Sequence, residues 1–221
     1  MSEQDMGVER QTMEVDIACT GFGPAAGGFL TTLARAMGDV DENGMPKLQS
    51  EVMPGMPPQV VCYERADDIG FGVSGVVTRG RGIRQTFPDF DPTQIPMAHP
   101  VTEERVLYLL DPVGASRRST SVKAMDAGIR AGRWALKYSE HAVELPYIPD
   151  FMKKDDGWVM SIGQFNQWVG SELMAGGQVQ LWPGMPVAEP LIEDDDVVGV
   201  RLVDQGVDSQ GNPDAGYMPG M

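Results

Sequence analysis

The chain has 221 residues and a net charge of −15, and its length predicts one domain with part of a second. The acidity excludes nucleic acid as a partner, because no basic field surrounds the molecule to attract phosphates. No stretch approaches the ~20 apolar residues that span a bilayer. Residues 1–13 are polar and acidic and lack the apolar core of a signal peptide, so we expect a disordered acidic tail and a cytoplasmic protein.

The first predicted element is a short apolar strand over residues 15–20, which runs into a glycine-rich turn and then a helix. The turn reads Gly-Phe-Gly-Pro-Ala-Ala over residues 21–26. Gly21 permits the tight bend, Gly23 lets the backbone approach a pyrophosphate, and the helix N-terminus supplies free N–H groups. Ala26 replaces the third glycine, a variant that this dinucleotide-binding fingerprint tolerates. The alternative is a glycine-rich turn in an α/β domain that binds nothing.

The second predicted strand, over residues 59–64, ends in Glu64. A Rossmann unit places at this position the carboxylate that accepts the ribose hydroxyls of a dinucleotide. The usual separation from the turn is about 20 residues. The separation is longer here because residues 38–58 are rich in Gly, Pro, Asp and Glu, which predicts a loop. Strand, turn, helix and carboxylate therefore follow in the order that a dinucleotide site requires.

Beyond Glu64 the sequence resembles the electron-transfer flavoprotein:ubiquinone oxidoreductase family. That family carries a Gly-x-Gly-Pro-Ala turn, then Glu-Lys/Arg-Ala, and then Ile-Gly before a Leu/Val-Ser-Gly. The matching residues of this chain are 21–25, 64–66, 69–70 and 73–75. Further matching blocks are residues 87–89, 100–104, 146–149, 163–170, 183–184 and 203–213. The resemblance covers nearly everything after residue 14.

The resemblance implies a flavoprotein that holds FAD. In the family, electrons pass from a reduced electron-transfer flavoprotein, through a four-iron cluster and FAD, to ubiquinone in the membrane. The implied FAD-binding residues are Gly21, Gly23, Pro24, Ala25 and Ala26 at the pyrophosphate, Glu64 at the adenosine ribose with Arg65 beside it, Val73, Ser74 and Gly75 near the flavin or ribityl chain, and Val187 at the adenine. No residue is expected to act as acid, base, nucleophile or metal ligand, because the flavin itself carries the electrons.

Three features depart from the family pattern. Gly72 and Val73 stand where the family commonly has His-Thr, and residues 111–144 contain an extra basic helical stretch. The chain also stops at Met221, so we expect a partial FAD-binding domain over residues 14–221 without the quinone-binding half and the iron–sulfur domain. Two cysteines cannot supply the four thiolates of a four-iron cluster, so that cluster is expected only in the missing C-terminal region.

The remaining elements complete a Rossmann-type order. A helix over residues 163–175 begins after Ser161, a candidate cap, and a third strand follows over residues 178–182. A hairpin over residues 186–204 turns at three aspartates, and residues 205–221, rich in Gly and Pro, predict a flexible tail. The fold class is therefore an α/β FAD/NAD(P)-binding Rossmann-type domain of the glutathione-reductase-like class, with a parallel sheet and a β-hairpin insertion, incomplete at the C-terminus.

The extra stretch contains a basic amphipathic helix. Residues 117–137 hold six of the chain's 17 Lys and Arg residues and a single acidic residue, Asp126. The apolar residues spaced for one helical face are Val122, Met125, Ile129 and Leu136, with Trp134 and Tyr138 nearby. Such helices are typical of segments that lie on an anionic membrane surface. We therefore expect peripheral contact with the inner face of a bacterial membrane, and the alternative is a solvated basic helix packed on the domain.

The predicted function is the FAD-binding part of an oxidoreductase of this family, with electron-transfer flavoprotein and ubiquinone as partners. One alternative is a flavoenzyme of the geranylgeranyl-reductase or monooxygenase type, which shares the Gly21 and Glu64 elements. The blocks at residues 165–170 and 206–213 favour the quinone reductase. Another alternative is a truncated, non-catalytic remnant that binds FAD poorly or not at all.

Overall fold

The computed structural model of the protein describes residues 9–71, 75–89, 91–110, 117–139 and 141–221. The chain divides into two compact units. The major unit comprises Met1–Val76, Gly80–Ala98 and Met160–Met221, and the minor unit comprises Val77–Arg79 and His99–Val159. Among the described residues, no helix is both long and apolar enough to cross a membrane.

Helices and short strands alternate along the chain. The helices are α1 (Pro24–Met37), α2 (Arg81–Thr86), α3 (Thr120–Ala131) and α4 (Ile162–Gly176). The strands are β1 (Ile17–Thr20), β2 (Val60–Tyr63), β3 (Gly75–Thr78), β4 (His99–Pro100), β5 (Leu107–Leu109), β6 (Tyr138–Ser139), β7 (Ala142–Glu144), β8 (Trp158–Ser161), β9 (Val179–Trp182), β10 (Val187–Glu193), β11 (Asp196–Leu202), β12 (Gln205–Val207) and β13 (Pro213–Met218).

The main sheet of the major unit has three parallel strands in the order β1-β2-β9. Its register aligns Cys19 of β1, Cys62 of β2 and Leu181 of β9. All four residues of β2 are buried, as expected of a parallel strand covered on both faces. The predicted α/β fold with a parallel sheet is confirmed.

Helices α1 and α4 pack against each other in the major unit. Helix α1 buries Leu30 and Met37 and half-buries Leu33, as its apolar spacing predicts. Gly27 permits a close approach to α4, because a Cβ at this position would lie 3.1 Å from the Val169 Cγ1 atom. This contact brings the turn before α1 next to the first half of α4.

The start and end of α4 are encoded locally. The Ser161 hydroxyl accepts a hydrogen bond from the Gln164 N–H, so the predicted cap is confirmed. The helix ends before Gly177, which has a φ of +69° and so takes the left-handed conformation that commonly terminates helices.

The long loop predicted between α1 and β2 is organised by one carboxylate, Asp16, at the start of β1. Its oxygens accept hydrogen bonds from the Gln59, Glu51 and Val52 N–H groups and from the Ser50 hydroxyl, at 2.6–3.3 Å. These bonds, and the bond from Gln59 above all, lower the pKa of Asp16 to about 2. Asp16 directly precedes β1 and Gln59 directly precedes β2, so these bonds hold the end of the loop next to both strands.

The chain after β9 forms two hairpins. Strands β10 and β11 pair antiparallel around Asp194 and Asp195, so the first hairpin is the one that the sequence predicts. Strands β12 and β13 then pair antiparallel within residues 205–221, where the sequence predicts a flexible tail. The difference arises because glycines of this segment, among them Gly206 and Gly211, have positive φ and supply bends within paired structure.

Asp204 ties the two ends of the described chain together. Its carboxylate pairs with the Arg10 guanidinium at 2.5 Å and also accepts hydrogen bonds from the Tyr217 hydroxyl and the Gly220 N–H. These donors, with Arg10 contributing most, hold the pKa of Asp204 well below its usual range. Arg10 lies in the segment for which the sequence predicts disorder, yet its side chain is only 18% exposed.

The minor unit contains a three-stranded antiparallel sheet in the order β5-β7-β6 and the helix α3. Asp126 of α3 is 5% exposed and accepts hydrogen bonds from the Tyr108 hydroxyl of β5 and from the Arg118 guanidinium, each at 2.7 Å. These bonds, the one from Tyr108 above all, lower the pKa of Asp126. A buried, fully paired carboxylate therefore attaches α3 to the sheet.

The inner face of α3 differs from the predicted one. Val122 and Ile129 are half-buried beside the buried Asp126, whereas Met125 is 48% exposed. The helix also ends at Ala131, before Leu136. The reason is that Asp126 occupies the central inward position of the helix, whereas the predicted apolar face placed Met125 there.

Two glycines allow the segment after β2 to lie directly on the start of α4. Gly70 has a φ of +78°, and a Cβ at Gly70 would lie 2.3 Å from the Gly163 carbonyl oxygen. A Cβ at Gly163 would in turn lie 2.5 Å from the Gly70 carbonyl oxygen. Gly170, two turns further along α4, would place a Cβ 3.0 Å from the Ile69 Cδ1 atom. Side chains at these positions would separate the segment from the helix.

The variant Gly163→Ala is expected to lower the free energy of unfolding by about 1–3 kcal/mol, because its Cβ must displace backbone rather than a flexible side chain. The matched control is Gly176→Ala at the other end of α4, where a Cβ meets nothing within 4 Å. That change should raise the stability by about 0.5–1 kcal/mol. Urea unfolding of both variants measures the difference, and equal effects would contradict the close approach.

The hydrogen bonds of Asp16 predict an acid-sensitive contribution to stability. The folded-state pKa of about 2 lies below the usual aspartate value of 3.8, so this contribution is present above about pH 4 and is lost as the pH falls toward 2. Asp16→Asn should therefore be less stable than the wild type at pH 6, and the difference should shrink between pH 4 and 2. Urea unfolding at a series of pH values tests this, and a constant difference would refute it.

Candidate functional site

The candidate site lies where β1 passes into α1. The Gly21 N–H donates to the Tyr63 carbonyl oxygen of β2 at 2.7 Å, and Gly21 has a φ of +81°, a conformation that favours glycine. Gly23 has extended backbone angles that any residue adopts, and a Cβ there would meet nothing within 4 Å. Neither strain nor packing among the described residues therefore explains a glycine at position 23.

The N-terminus of α1 faces this open space without a capping side chain. Pro24 occupies the first turn, where its missing N–H costs nothing. The first bond of the helix runs from the Gly27 N–H to the Gly23 carbonyl oxygen at 2.8 Å, so the N–H groups of Ala25 and Ala26 precede the intrahelical bonds. Such amides, together with the positive end of the helix dipole, favour an anion.

A cleft of about 690 Å³ opens beside this turn, and we refer to it as the turn cleft. Its described lining residues are Thr20, Gly21, Phe22, Gly23, Pro24, Ala25, Ala26, Glu64, Ala66, Gly70, Phe71, Ile162 and Asn166. Among these residues, Glu64 is the only charged side chain, and no lysine or arginine is present. An anionic ligand would therefore be held here by neutral N–H donors and by the helix dipole.

Glu64 joins the turn to the end of β2. One carboxylate oxygen accepts a hydrogen bond from the Phe22 N–H at 2.6 Å, and the other accepts one from the Ala66 N–H at 2.8 Å. The backbone of Glu64 also bonds to Trp182 and Met185 at 2.9 Å each. Because each carboxylate oxygen has further acceptor capacity, Glu64 can still accept hydroxyl groups of a ligand.

The two cysteines of the chain are free. Burial above all, together with the neighbouring Cys19 and Glu64, raises the pKa of the Cys62 thiol to about 12. The thiol is therefore protonated at neutral pH and lies 3.9 Å from the Gly21 carbonyl oxygen, toward which it donates. Among the described residues, no group of three His, Cys, Asp or Glu side chains could hold a metal ion.

The structure brings together six of the residues predicted to bind the cofactor. Those that line the turn cleft are Gly21, Gly23, Pro24, Ala25, Ala26 and Glu64. Arg65 is exposed beside Glu64, and Gly75 begins β3 on an exposed position. Val187 begins β10 and packs against a cluster that contains Val61, Tyr63 and Leu202. The predicted positions Val73 and Ser74 lie outside the described residues.

Sequence reasoning missed the far wall of the turn cleft, which is formed by Gly70, Phe71, Ile162 and Asn166. One signal was available, because Asn166 is a polar residue within the apolar stripe of α4 that also contains Phe165, Val169 and Leu173. The contact between Gly70 and Gly163 could not be predicted from the sequence. The two glycines are far apart in the chain, and no local pattern indicates that they meet in the fold.

Fold and turn define the class of protein, a Rossmann-type α/β protein with a glycine-rich turn between β1 and α1. Curated relatives give a more particular likeness. The chain is 27% identical over 219 residues to the electron transfer flavoprotein-ubiquinone oxidoreductase of Pseudomonas aeruginosa, which covers 97% of this chain and 32% of the relative. It is 26% identical over 217 residues to a probable electron transfer flavoprotein-ubiquinone oxidoreductase of Acinetobacter baylyi, covering 96% of this chain and 31% of the relative.

The likeness extends to a mitochondrial protein. The chain is 24% identical over 221 residues to the mitochondrial electron transfer flavoprotein-ubiquinone oxidoreductase of Mus musculus, covering 99% of this chain and 29% of the relative. The resemblance that the sequence motifs predict is thereby confirmed. The chain spans about a third of the length of the curated relatives that it matches.

No family model matches the chain. Among solved structures, it aligns with a geranylgeranyl bacteriochlorophyll reductase-like protein from Thermoplasma acidophilum at a TM-score of 0.46 and 13% identity, over 86% of this chain and 34% of that chain. It also aligns with pqsL, a probable FAD-dependent monooxygenase from Pseudomonas aeruginosa, at a TM-score of 0.42 and 10% identity, over 90% and 39% of the two chains.

Proposed function

We propose that this chain binds FAD in the turn cleft, as the FAD-binding part of an oxidoreductase that passes electrons from reduced electron-transfer flavoprotein to ubiquinone. The observation that carries the proposal is the open space beside Gly23, where a Cβ would meet nothing within 4 Å. A glycine that the protein's own packing does not require is explained by a ligand that approaches the backbone closely.

The residues of the cleft fit the nucleotide half of FAD. The turn amides and the N-terminus of α1 would hold the pyrophosphate, and the Glu64 carboxylate would accept the ribose hydroxyls. Glu64 is already positioned for this role by its bonds to the Phe22 and Ala66 N–H groups. Bound FAD supplies the redox chemistry, while the chain supplies binding and orientation.

The donor and acceptor in this proposal come from the shared name of the curated relatives. A four-iron cluster needs ligands from elsewhere, because this chain has two cysteines and such clusters are held by four thiolates. The residues that we propose for FAD beyond the cleft are Arg65, Val73, Ser74, Gly75 and Val187. Reduction of bound FAD by electron-transfer flavoprotein supports the proposal, whereas reduction by NADPH would favour a geranylgeranyl-reductase or monooxygenase type of enzyme.

The variant Gly23→Val tests the cleft directly. Its backbone angles suit valine and its side chain would point into open space, so the midpoint of urea unfolding should stay close to that of the wild type. The FAD affinity should fall at least tenfold, which corresponds to about 1.4 kcal/mol, because the side chain occupies the place of the pyrophosphate. Quenching of FAD fluorescence during titration measures the affinity.

The matched control is Gly28→Ala, which places a methyl group on the same helix at ordinary contact distance from the Thr86 hydroxyl oxygen. It should leave the FAD affinity unchanged. An unchanged affinity in Gly23→Val would exclude the turn as the pyrophosphate site, and a wild-type protein that binds no FAD would favour the non-catalytic remnant.

We further propose that the minor unit makes peripheral contact with an anionic membrane surface at the cytoplasmic side, where ubiquinone is reached. Exposed cations on α3 and next to it in sequence are Arg117, Lys123, Arg130, Arg133 and Lys137. Arg118 does not contribute, because it is bonded to Asp126. Trp134 follows the helix with 86% of its side chain exposed, and Met125 is 48% exposed. Exposed cations beside exposed apolar side chains suit the boundary between lipid headgroups and acyl chains.

Vesicle flotation tests the membrane contact. The triple variant Lys123→Gln, Arg130→Gln and Arg133→Gln should bind vesicles with anionic lipid about 100-fold more weakly than the wild type, since each cation contributes about 1 kcal/mol near such a surface. Neutral phosphatidylcholine vesicles should bind neither protein well.

The control for charge is a triple variant at exposed cations of the major unit, Lys47→Gln, Arg81→Gln and Arg84→Gln. It removes the same net charge and should float like the wild type. Equal flotation of both triple variants would contradict a membrane contact through α3.

A further inference from the structure

One side chain of the turn cleft has no role in the fold. Asn166 lies on the inner face of α4, between the buried residues Phe165 and Val169, and only 3% of it is exposed. Apart from two glycines, the other buried residues of α4 are the apolar Phe165, Val169 and Leu173. The small exposed part of the residue belongs to the lining of the turn cleft.

The Asn166 carboxamide makes no hydrogen bond to another of the described residues, although it offers two donors and an acceptor. The Oδ1 and Nδ2 atoms of Asn166 are not fully buried, and the residue lines the turn cleft, so a ligand in the cleft can bond to them. An asparagine in this position is therefore explained by a partner that enters from the cleft.

The chemistry of the cleft indicates which part of a ligand that partner is. The described lining residues carry a carboxylate, Glu64, but no cation. The charge of a diphosphate must therefore be balanced by neutral donors, which are backbone amides and the dipole of α1. The Nδ2 group of Asn166 is the one side-chain amide among these lining residues. Glu64 can accept hydroxyl groups of the ligand, and the Asn166 amide adds a donor on the opposite wall.

We infer that Asn166 is a ligand-binding residue whose Nδ2 group donates a hydrogen bond to the diphosphate of the bound nucleotide, across the cleft from the turn at residues 21–26. This inference rests on the proposed FAD site and adds a residue of α4 to it. The contact between Gly70 and Gly163 joins the segment after β2 to the start of α4, and these two segments form the wall that contains Asn166. The diphosphate is thus bound from the helix N-terminus on one side and from the carboxamide on the other.

Two substitutions at Asn166 distinguish a donor from an acceptor. Asn166→Leu removes both functions at similar size, and Asn166→Asp keeps the shape but replaces the donor with a negatively charged acceptor. A donor to the diphosphate predicts that the affinity for FAD and for ADP falls at least tenfold in the leucine variant and further in the aspartate variant. An acceptor of ribose hydroxyls would instead leave the aspartate variant equal to or tighter than the wild type, which would overturn the inference.

Stability of the ligand-free protein separates binding from a structural role. Without ligand, Asn166→Leu should unfold at the same or a higher urea concentration than the wild type, because the carboxamide makes no hydrogen bond to another described residue and leucine adds apolar contacts on a buried face. A clearly lower midpoint together with lost affinity would show that the carboxamide supports the fold, and would overturn the inference. The matched control is Gln167→Leu, the neighbouring carboxamide of α4 that lies outside the cleft lining, and it should bind FAD like the wild type.

Adenosine serves as the probe for the phosphate contact. It has the ribose and adenine but no diphosphate, so the affinity for adenosine should be the same in all three proteins. If the wild type binds FAD and both Asn166 variants bind it with the same affinity, the inference about Asn166 is overturned while the proposed FAD site stands. A wild-type protein that binds neither FAD nor ADP would overturn the proposed function as well.

Discussion

The Glu64 carboxylate is the interaction on which the rest of the site depends. It accepts the Phe22 N–H of the glycine-rich turn and the Ala66 N–H of the segment after β2, while its own backbone is bonded to the chain around β9. The side chain and backbone of this one residue together connect the chain at the ends of all three parallel strands, where the cleft opens. Glu64 directly follows β2, all four residues of which are buried.

A steric constraint complements this electrostatic one. Two backbone carbonyls approach so closely at Gly70 and Gly163 that neither position accommodates a Cβ. The approach lets the chain after Ala66 lie on the start of α4, and it gives the cleft a second wall. Without this close approach, the turn and Glu64 would form only one side of the cleft.

The electrostatics of the cleft contrast with those of the minor unit. A chain with a net charge of −15 offers an anion no cationic side chain in the described lining of the cleft, so backbone amides and one carboxamide must hold it. The cations of the chain are instead concentrated around α3, where Asp126 neutralises Arg118 internally and leaves the others on the surface. The proposed FAD site therefore lacks cationic side chains in its described lining, whereas the proposed membrane-binding surface contains them.

The sequence alone determined the elements whose signals are local. The turn at residues 21–26, the carboxylate at the end of β2, the Ser161 cap and the hairpin turn at Asp194 each depend on neighbours within a few residues, so pattern and propensity sufficed. Tertiary structure decided the rest: the pairing of residues 205–221, the inward Asp126 of α3, the contact of Gly70 with Gly163, and the place of Asn166 in the cleft. Each of these features depends on groups that are distant in sequence. Such groups come within contact distance only when the chain packs, because packing determines which groups are removed from water together.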